Sequence, residues 1–397
     1  MRGIRGLIAV CLASLAIGAQ PAHPAEPQVV RAAVLRVEQG NPLPISRLDL
    51  PPADLGFAGA RLANDDNQTT GRFMGQTFEV IEADATPETA AATLEQLIAQ
   101  GASFIVTMAD AETTVALADA AGERALVLNA TSPDDRLRNE LCRANTLHVA
   151  PSRAMLADAL AQFLTWKKWD EWFLIEGSHP NDRAMAEAYR RAARKFGAKV
   201  VEERVFADTG GARRTDTGHV QVQKQMPVFT QDTEDHDVVI TADESDIFAA
   251  YLPYQTWEPR PVAGSAGLRP VTWHPTQEAW GATQFQRRFE RLSGRYMRPV
   301  DFQVWAALRV LGEAATRTRS TDYAVLRDYI LGPEFELAAF KGQKLTFRPW
   351  NHQLRQPILL IHDRVMVSVS PQQEFLHQVS RLDTLGWDEP ESTCKLN

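Results

Sequence analysis

Along the chain, short apolar runs alternate with stretches whose apolar residues recur every three to four positions. The runs 29–37 (VVRAAVLRV), 76–81, 102–108 and 125–128 have the length of buried strands. Between them, residues 54–67 place Leu55, Ala58, Leu62 and Ala63 at helical spacing. Thr86-Pro87-Glu88 reads as a helix start, with a Thr cap, Pro at the first position and an acid near the positive helix end. That helix buries Leu94, Leu97 and Ile98 and stops at Gly101; the next carries Val115 and Leu117 and stops at Gly122. Strands this short and this apolar, joined by helices, predict a β-α-β-α-β-α-β unit with a parallel sheet buried on both faces. Residues 146–152 form a strand that leaves the unit.

A second unit follows. Leu156, Leu160, Phe163 and Leu164 share a helix face, 171–175 is a strand, and Met185, Tyr189, Ala192 and Phe196 share a face of a helix that Asn181 can cap and Gly197 ends. Strands are predicted at 199–206, 237–242 and 261–263, with a helix over 244–254 and a polar, irregular insertion over 208–236. Long helices over 283–293 and 301–316, a shorter one over 323–331, and strands at 343–347 and 356–369 complete the pattern, and an irregular tail starts near 371 with Phe375 and Trp387 as aromatic anchors. The expected fold is α/β: two doubly wound parallel-sheet lobes joined by crossovers.

A chain of 397 residues fits two lobes, each with its own core. The formal charge is −8, and setting aside Arg2 and Arg5 in residues 1–25 takes it to −10. With no block of Lys and Arg, nucleic acid is not an expected partner. Residues 1–25 combine those two arginines, a short apolar stretch and small residues around PAHPA, the pattern of a cleaved secretory signal peptide. The mature protein is therefore expected to be exported to a periplasm. Its two cysteines beyond the leader, Cys142 and Cys394, form a disulfide in an oxidising compartment or else remain two free thiols. GxSxG, P-loop, HExxH and dinucleotide fingerprints are all missing from the sequence, so an enzyme is not expected, nor a cofactor.

In open parallel sheets, ligands collect at the carboxyl ends of the strands. Those ends carry Asp110 and Thr131 in the first unit, and His179, Asn181, Asp243 and Glu244 in the second. Asp110, Asn181 and Asp243 also stand where a strand hands over to a helix, and Asp and Asn are preferred caps there. Both roles are compatible, and His179 alone is as readily a surface-loop residue. A metal ion in this set is an open question.

The order of elements resembles the type I periplasmic substrate-binding proteins of ABC transporters, nearest the branched-chain amino acid receptors. The resemblance is carried by Gly59-Ala60-Arg61-Leu62-Ala63 with Asp65, Asp66 and Asn67, by Asn129-Ala130-Thr131-Ser132-Pro133 with Leu137-Arg138, by Ala150-Pro151-Ser152, and by Phe285, Phe289, Arg295, Tyr296, Pro299 and Trp305-Ala306-Ala307. Residues 141–169, with Trp166-Lys167-Lys168-Trp169, are similar to a subfamily encoded beside PQQ-dependent alcohol dehydrogenases. The resemblance implies a monomeric solute receptor for an ABC importer, with permease subunits as partners. It implies a first lobe of 28–151 and 271–342, a second of 152–270 and 343–378, and a tail from 379 to 397. Thr131 matches the turn that holds a ligand carboxylate in that group. Asp110 departs from it, standing where a hydroxyl is expected, and Asp243-Glu244 stand where an aromatic is expected. Acids from both lobes suit a cationic ligand, a metal ion or an amine, over a leucine-like amino acid. An accessory protein that binds a dehydrogenase, a metal or a cofactor is the alternative.

Overall fold

The computed structural model describes residues 28–40, 44–208 and 221–396. The leader reading and residues 209–220 of the insertion lie outside the described residues.

The first lobe alternates strand and helix through β1 (Gln28–Val37), α1 (Phe57–Met74), β2 (Gln76–Ala85), α2 (Ala90–Ala99), β3 (Phe104–Met108), α3 (Ala111–Ala121), β4 (Leu126–Asn129) and β5 (Thr146–His148). Its sheet runs β2-β1-β3-β4-β5 and is parallel throughout. The second lobe repeats the plan with α4 (Arg153–Trp166), β6 (Glu171–Gly177), α5 (Pro180–Phe196), β7 (Lys199–Phe206), α6 (Val222–Phe229), β8 (Val238–Ala242), α7 (Leu252–Gln255) and β9 (Val262–Gly264). Its parallel sheet runs β7-β6-β8-β9. In both sheets the first strand in sequence lies inside, flanked by the second and third. Each sheet therefore has a switch point where the connections diverge and a crevice opens.

After β10 (Arg269–Val271) the chain returns to the first lobe with α8 (Ala282–Ser293), α9 (Pro299–Thr318), α10 (Tyr323–Leu331), β11 (Leu337–Ala338), β12 (Lys344–Phe347) and β13 (Leu354–Arg355). Trp273, Phe285, Phe302 and Trp305 are buried in the first core together with α1 and the inner face of the sheet. Each such side chain contributes about 2–3 kcal/mol on burial. The hairpin of β14 (Ile358–His362) and β15 (Val365–Ser370) pairs with β10 and packs on α4.

The chain crosses between lobes near 149–152, 272 and 355–357, and buried side chains clamp the carbonyls there. Gln353 Nε2 donates to His148 and Ala150, Gln356 Nε2 to Val149 at 2.7 Å, and Arg138 to Ala150 at 2.7 Å. Lys341, 2% exposed, donates to Thr272 and Pro357, one carbonyl on each of two crossings. Burial pushes its ammonium down to about 7.

Several expectations shift. The helix predicted to start at Thr86 starts at Ala90, with the Thr89 hydroxyl accepting from Thr86 N–H. Residues 244–248 are bends and turns where a helix over 244–254 was expected, and helical turns begin only at Ala249. The insertion is not wholly irregular: α6 drives Met226 into the second core. The return into the second lobe falls at 355–357 and not at 343, because Leu345 and Leu354 pack in the first core and Ile358 and Leu360 in the second. The strand expected over 356–369 is a hairpin that turns at Asp363-Arg364. The tail is packed: Leu382 and Leu385 are buried, and the disulfide joins Cys142 to Cys394 with Cα atoms 5.7 Å apart.

Candidate ligand-binding cleft

A cavity of about 790 Å³ opens at the switch point of the first sheet. Its walls come from the end of β1 (Arg36, Val37, Glu38, Gln39), the end of β2 (Asp84, Ala85, Thr86, Thr89), Met108 at the end of β3, Thr131 after β4, and Leu55 and Val300. Arg36 and Asp84 are partners in the β1–β2 register, which makes their pairing a consequence of strand alignment. The guanidinium meets the carboxylate in two bonds, of 2.6 and 3.0 Å, donates to Ala53 O at 2.8 Å and lies over the Phe57 ring at 4.2 Å. Such bidentate geometry fixes the guanidinium plane. Met108 is seated by Gly56, whose φ is +80° and whose missing Cβ would lie 2.3 Å from the Met108 sulfur.

Thr131 is placed by Asn129. The buried Asn129 amide accepts from Thr131 and Ser132 N–H and donates to Ser132 O, an Asx-type turn that swings the chain out of β4. The Thr131 hydroxyl donates to Ala109 O at 3.2 Å and lines the cavity. Asp110 is exposed and caps α3 through a 2.8 Å bond from Thr113 N–H; it is not among the lining residues.

The four candidates of the second lobe gather at the carboxyl end of its sheet, and each has a partner within the chain. Glu244 is held bidentately by Arg153 at 2.7 and 2.6 Å, and Arg153 also reaches Asn181 at 3.2 Å. This carboxylate raises the Arg153 guanidinium further above its ordinary range, against the opposing effect of burial. His179 Nε2 lies 2.9 Å from Asp208 Oδ2. Asn181 is not the cap of α5: His179 occupies the cap position, because Pro180 starts the helix and Asp182 accepts the His179 N–H at 3.1 Å. Asp182 is fully buried and also accepts Ser245 N–H; a Cβ at Gly177 would lie 2.2 Å from its carboxylate, so the end of β6 requires glycine. Asp243 accepts Ile247, Phe248 and Ala249 N–H at 2.7–3.0 Å. Burial drives its carboxyl above the usual range, opposed by those backbone bonds.

The structure thus brings Thr131 to the cavity, keeps His179, Asn181, Asp243 and Glu244 together on the facing lobe, and joins the two sets by no bond among the described residues. One bond does cross the lobes nearby: Ile45 N–H donates to Asp246 at 2.8 Å. Arg36, Glu38 and Asp84 were not anticipated. The available signal was a charged residue at the carboxyl end of an otherwise apolar strand beside the switch point. Among the described residues no group of three or more His, Cys, Asp and Glu is placed to hold a metal ion, and no helix is long and apolar enough to cross a membrane.

Two doubly wound lobes, three crossings and a cleft at the strand ends define the type I periplasmic binding protein fold. A family model described as periplasmic binding protein matches residues 53–216. Among solved structures, a branched-chain amino acid ABC transporter periplasmic ligand-binding protein from Burkholderia xenovorans is 14% identical, with a TM-score of 0.69 over 92% of this chain and 99% of that one. A leucine-, isoleucine-, valine-, threonine- and alanine-binding protein from Brucella ovis in its closed conformation is 15% identical, with a TM-score of 0.66 over 92% and 99%. A solute-binding protein from R. palustris in complex with benzoate is 12% identical, with a TM-score of 0.64 over 93% and 100%. No curated protein sequence matches this chain.

Proposed function

We propose that the protein is a periplasmic solute-binding component of an ABC importer, exported by residues 1–25 and acting as a monomer that closes two lobes on a small molecule for delivery to permease subunits. The observation that carries this reading is the cavity at the first switch point, in a chain whose second lobe repeats the same strand arrangement around its own first strand. A ligand that touches both walls favours the closed form by its differential affinity. The proteins of like fold are named as binding proteins, and amino acids and benzoate appear among their named ligands, so the fold supports binding without turnover and several ligand chemistries.

For this chain the ligand class is a small organic molecule, neutral or positively charged, with an apolar body. Val37, Leu55, Met108 and Val300 supply apolar wall, and Thr131 supplies a hydroxyl. The one cation among the described lining residues, Arg36, is committed to Asp84, while Glu38 is exposed at the rim. A carboxylate ligand would therefore meet no uncompensated cation on this wall.

Thermal shift and calorimetry with matched amine, amide and carboxylate compounds test the proposal. A true ligand raises the melting temperature by mass action. Thr131→Val is expected to weaken that ligand about tenfold, about 1.4 kcal/mol, with the melting temperature of the free protein changed by no more than about 2 °C. Failure of every small molecule to bind, or turnover of one that does, would remove the receptor reading; tight binding of the carboxylate member alone would remove the charge clause.

A second reading, an accessory protein of a PQQ-dependent alcohol dehydrogenase system, is favoured by the similarity of residues 141–169. A pull-down of such a dehydrogenase that persists in Thr131→Val would support it.

A further inference from the structure

The C-terminal segment 380–394 is attached to both lobes and to the hinge between them. On the second lobe, Leu385 is buried in the core, Gly386 N–H donates to Asp158 at 2.8 Å, and Gly386 O accepts from Arg191 and Lys195 at 2.9 and 3.0 Å. Glu391 pairs with Arg191 at 2.8 Å. At the hinge, Asp383 is 3% exposed and receives Arg348, which precedes β13, and Arg355, the last residue of β13 where the crossing begins, at 2.9 and 2.7 Å. Arg348 also donates to the carbonyls of Leu382, Leu385 and Trp387. On the first lobe, Thr393 N–H donates to Asn139, and Cys394 is bonded covalently to Cys142. Trp387 touches both lobes at once: its indole N–H donates to Asp135 at 2.9 Å, and Arg191 lies over its ring at 4.3 Å.

Three crossings near the pivot leave two lobes free to rotate about it. A fourth connection with its ends fixed on different lobes is another matter, because rotation must stretch or break it. Here one end is held by a buried leucine and an ion-pair cluster, and the other by a bond that cannot slip. We propose that segment 380–394 is a brace that limits the excursion of the lobes, with Cys142–Cys394 as its fixed end and Trp387 as the point where it couples them. The proposal rests on the lobe movement set out under the proposed function. By narrowing the ligand-free ensemble, the brace reduces the fraction of molecules in binding-incompetent openings and so raises apparent affinity.

The test is single-molecule energy transfer between dyes on unnatural amino acids at the exposed positions Arg72 and Lys224, in the full exported chain without ligand. Cys394→Ser is expected to broaden the inter-lobe distance distribution. Trp387→Phe, which keeps the ring under Arg191 and loses the bond to Asp135, is expected to broaden it less. A distribution of unchanged width in both variants overturns the brace, even where the melting temperature falls, since that pattern belongs to a segment that only stabilises the fold. The readout needs no ligand, so failure to find a solute would not be mistaken for failure of the brace.

Discussion

Asp110 and Asp243 stand at equivalent points of the two lobes and serve different ends. Each follows a strand that pairs directly with the first strand of its sheet. Asp110 is exposed and accepts one backbone N–H, because the chain beyond it enters α3 at once and the cap position directs the carboxylate to the N–H of the third helical residue, Thr113. Asp243 is 5% exposed and accepts three, because the chain beyond it bends through Asp246 at φ +53° and turns helical only at Ala249. Its carboxylate folds a loop that has no ladder of its own. The same contrast runs along both rims. The second-lobe acids are consumed by Arg153, by backbone and by helix starts, while the first-lobe rim leaves Thr131, Met108 and the Arg36–Asp84 pair facing a cavity. An acid at a strand end thus reports ligand chemistry only after the backbone around it has been satisfied.

The largest effect that could break this contrast is Asp243→Ala. It strands the N–H groups of Ile247, Phe248 and Ala249, residues that are themselves buried. With unsatisfied buried groups costing about 1–3 kcal/mol each and some rescued by water, a loss of about 3–4 kcal/mol is expected in denaturant unfolding. A loss below about 1 kcal/mol would mean that the loop holds itself and that Asp243 is free for other duties.

A smaller effect sharpens the contrast at the hinge, where Lys341 carries a buried ammonium with no carboxylate in contact among the described residues. Its folded value of about 7 lies below the ordinary 10.5. Between those values the unfolded chain binds more protons than the folded one. Stability from this group therefore rises with pH across that window, by at most about 1.4 kcal/mol per unit. Unfolding measured at pH 7 and 9 should show about 1–2 kcal/mol more gain in the wild type than in Lys341→Met. Equal pH slopes would show the ammonium to remain charged in the fold, held by the Thr272 and Pro357 carbonyls.

These contrasts also mark what could be read from the chain. Strands β3 and β8 and the middles of β1 and β6 are legible because parallel strands covered on both faces are almost purely apolar there. The cysteine pair is legible because the chain beyond residue 25 holds two cysteines, Cys142 and Cys394. The bends over 244–248 are not: Ile247 and Phe248 supply apolar positions for an amphipathic helix, and the acid that diverts the backbone looks like an ordinary cap. The tail is hidden for another reason. Its partners lie far off in sequence, Asp383 with Arg348 and Trp387 with Asp135, and such pairs leave no period to detect. Thr131 is legible from its turn; the Arg36–Asp84 pair needs a register that only strand pairing provides.

The smallest expected effect is the most discriminating. In Asp110→Asn the cap is retained, because an Asn oxygen accepts the Thr113 N–H as Asp does and the two residues rank alike at this position. Stability should change by less than about 0.5 kcal/mol. If the first-lobe ligand wall is the cavity bounded by Thr131 and Met108, affinity for a ligand that Thr131→Val weakens tenfold should also stay within about twofold, or about 0.4 kcal/mol, because the Asp110 carboxylate is outside that wall. A tenfold loss for a cationic ligand alone, in calorimetry at low salt, would reverse the assignment: Asp110 would then face bound ligand, and the two lobes would meet it with an acid from each side. The two variants together separate a charge that closes a helix from a charge that closes on a solute.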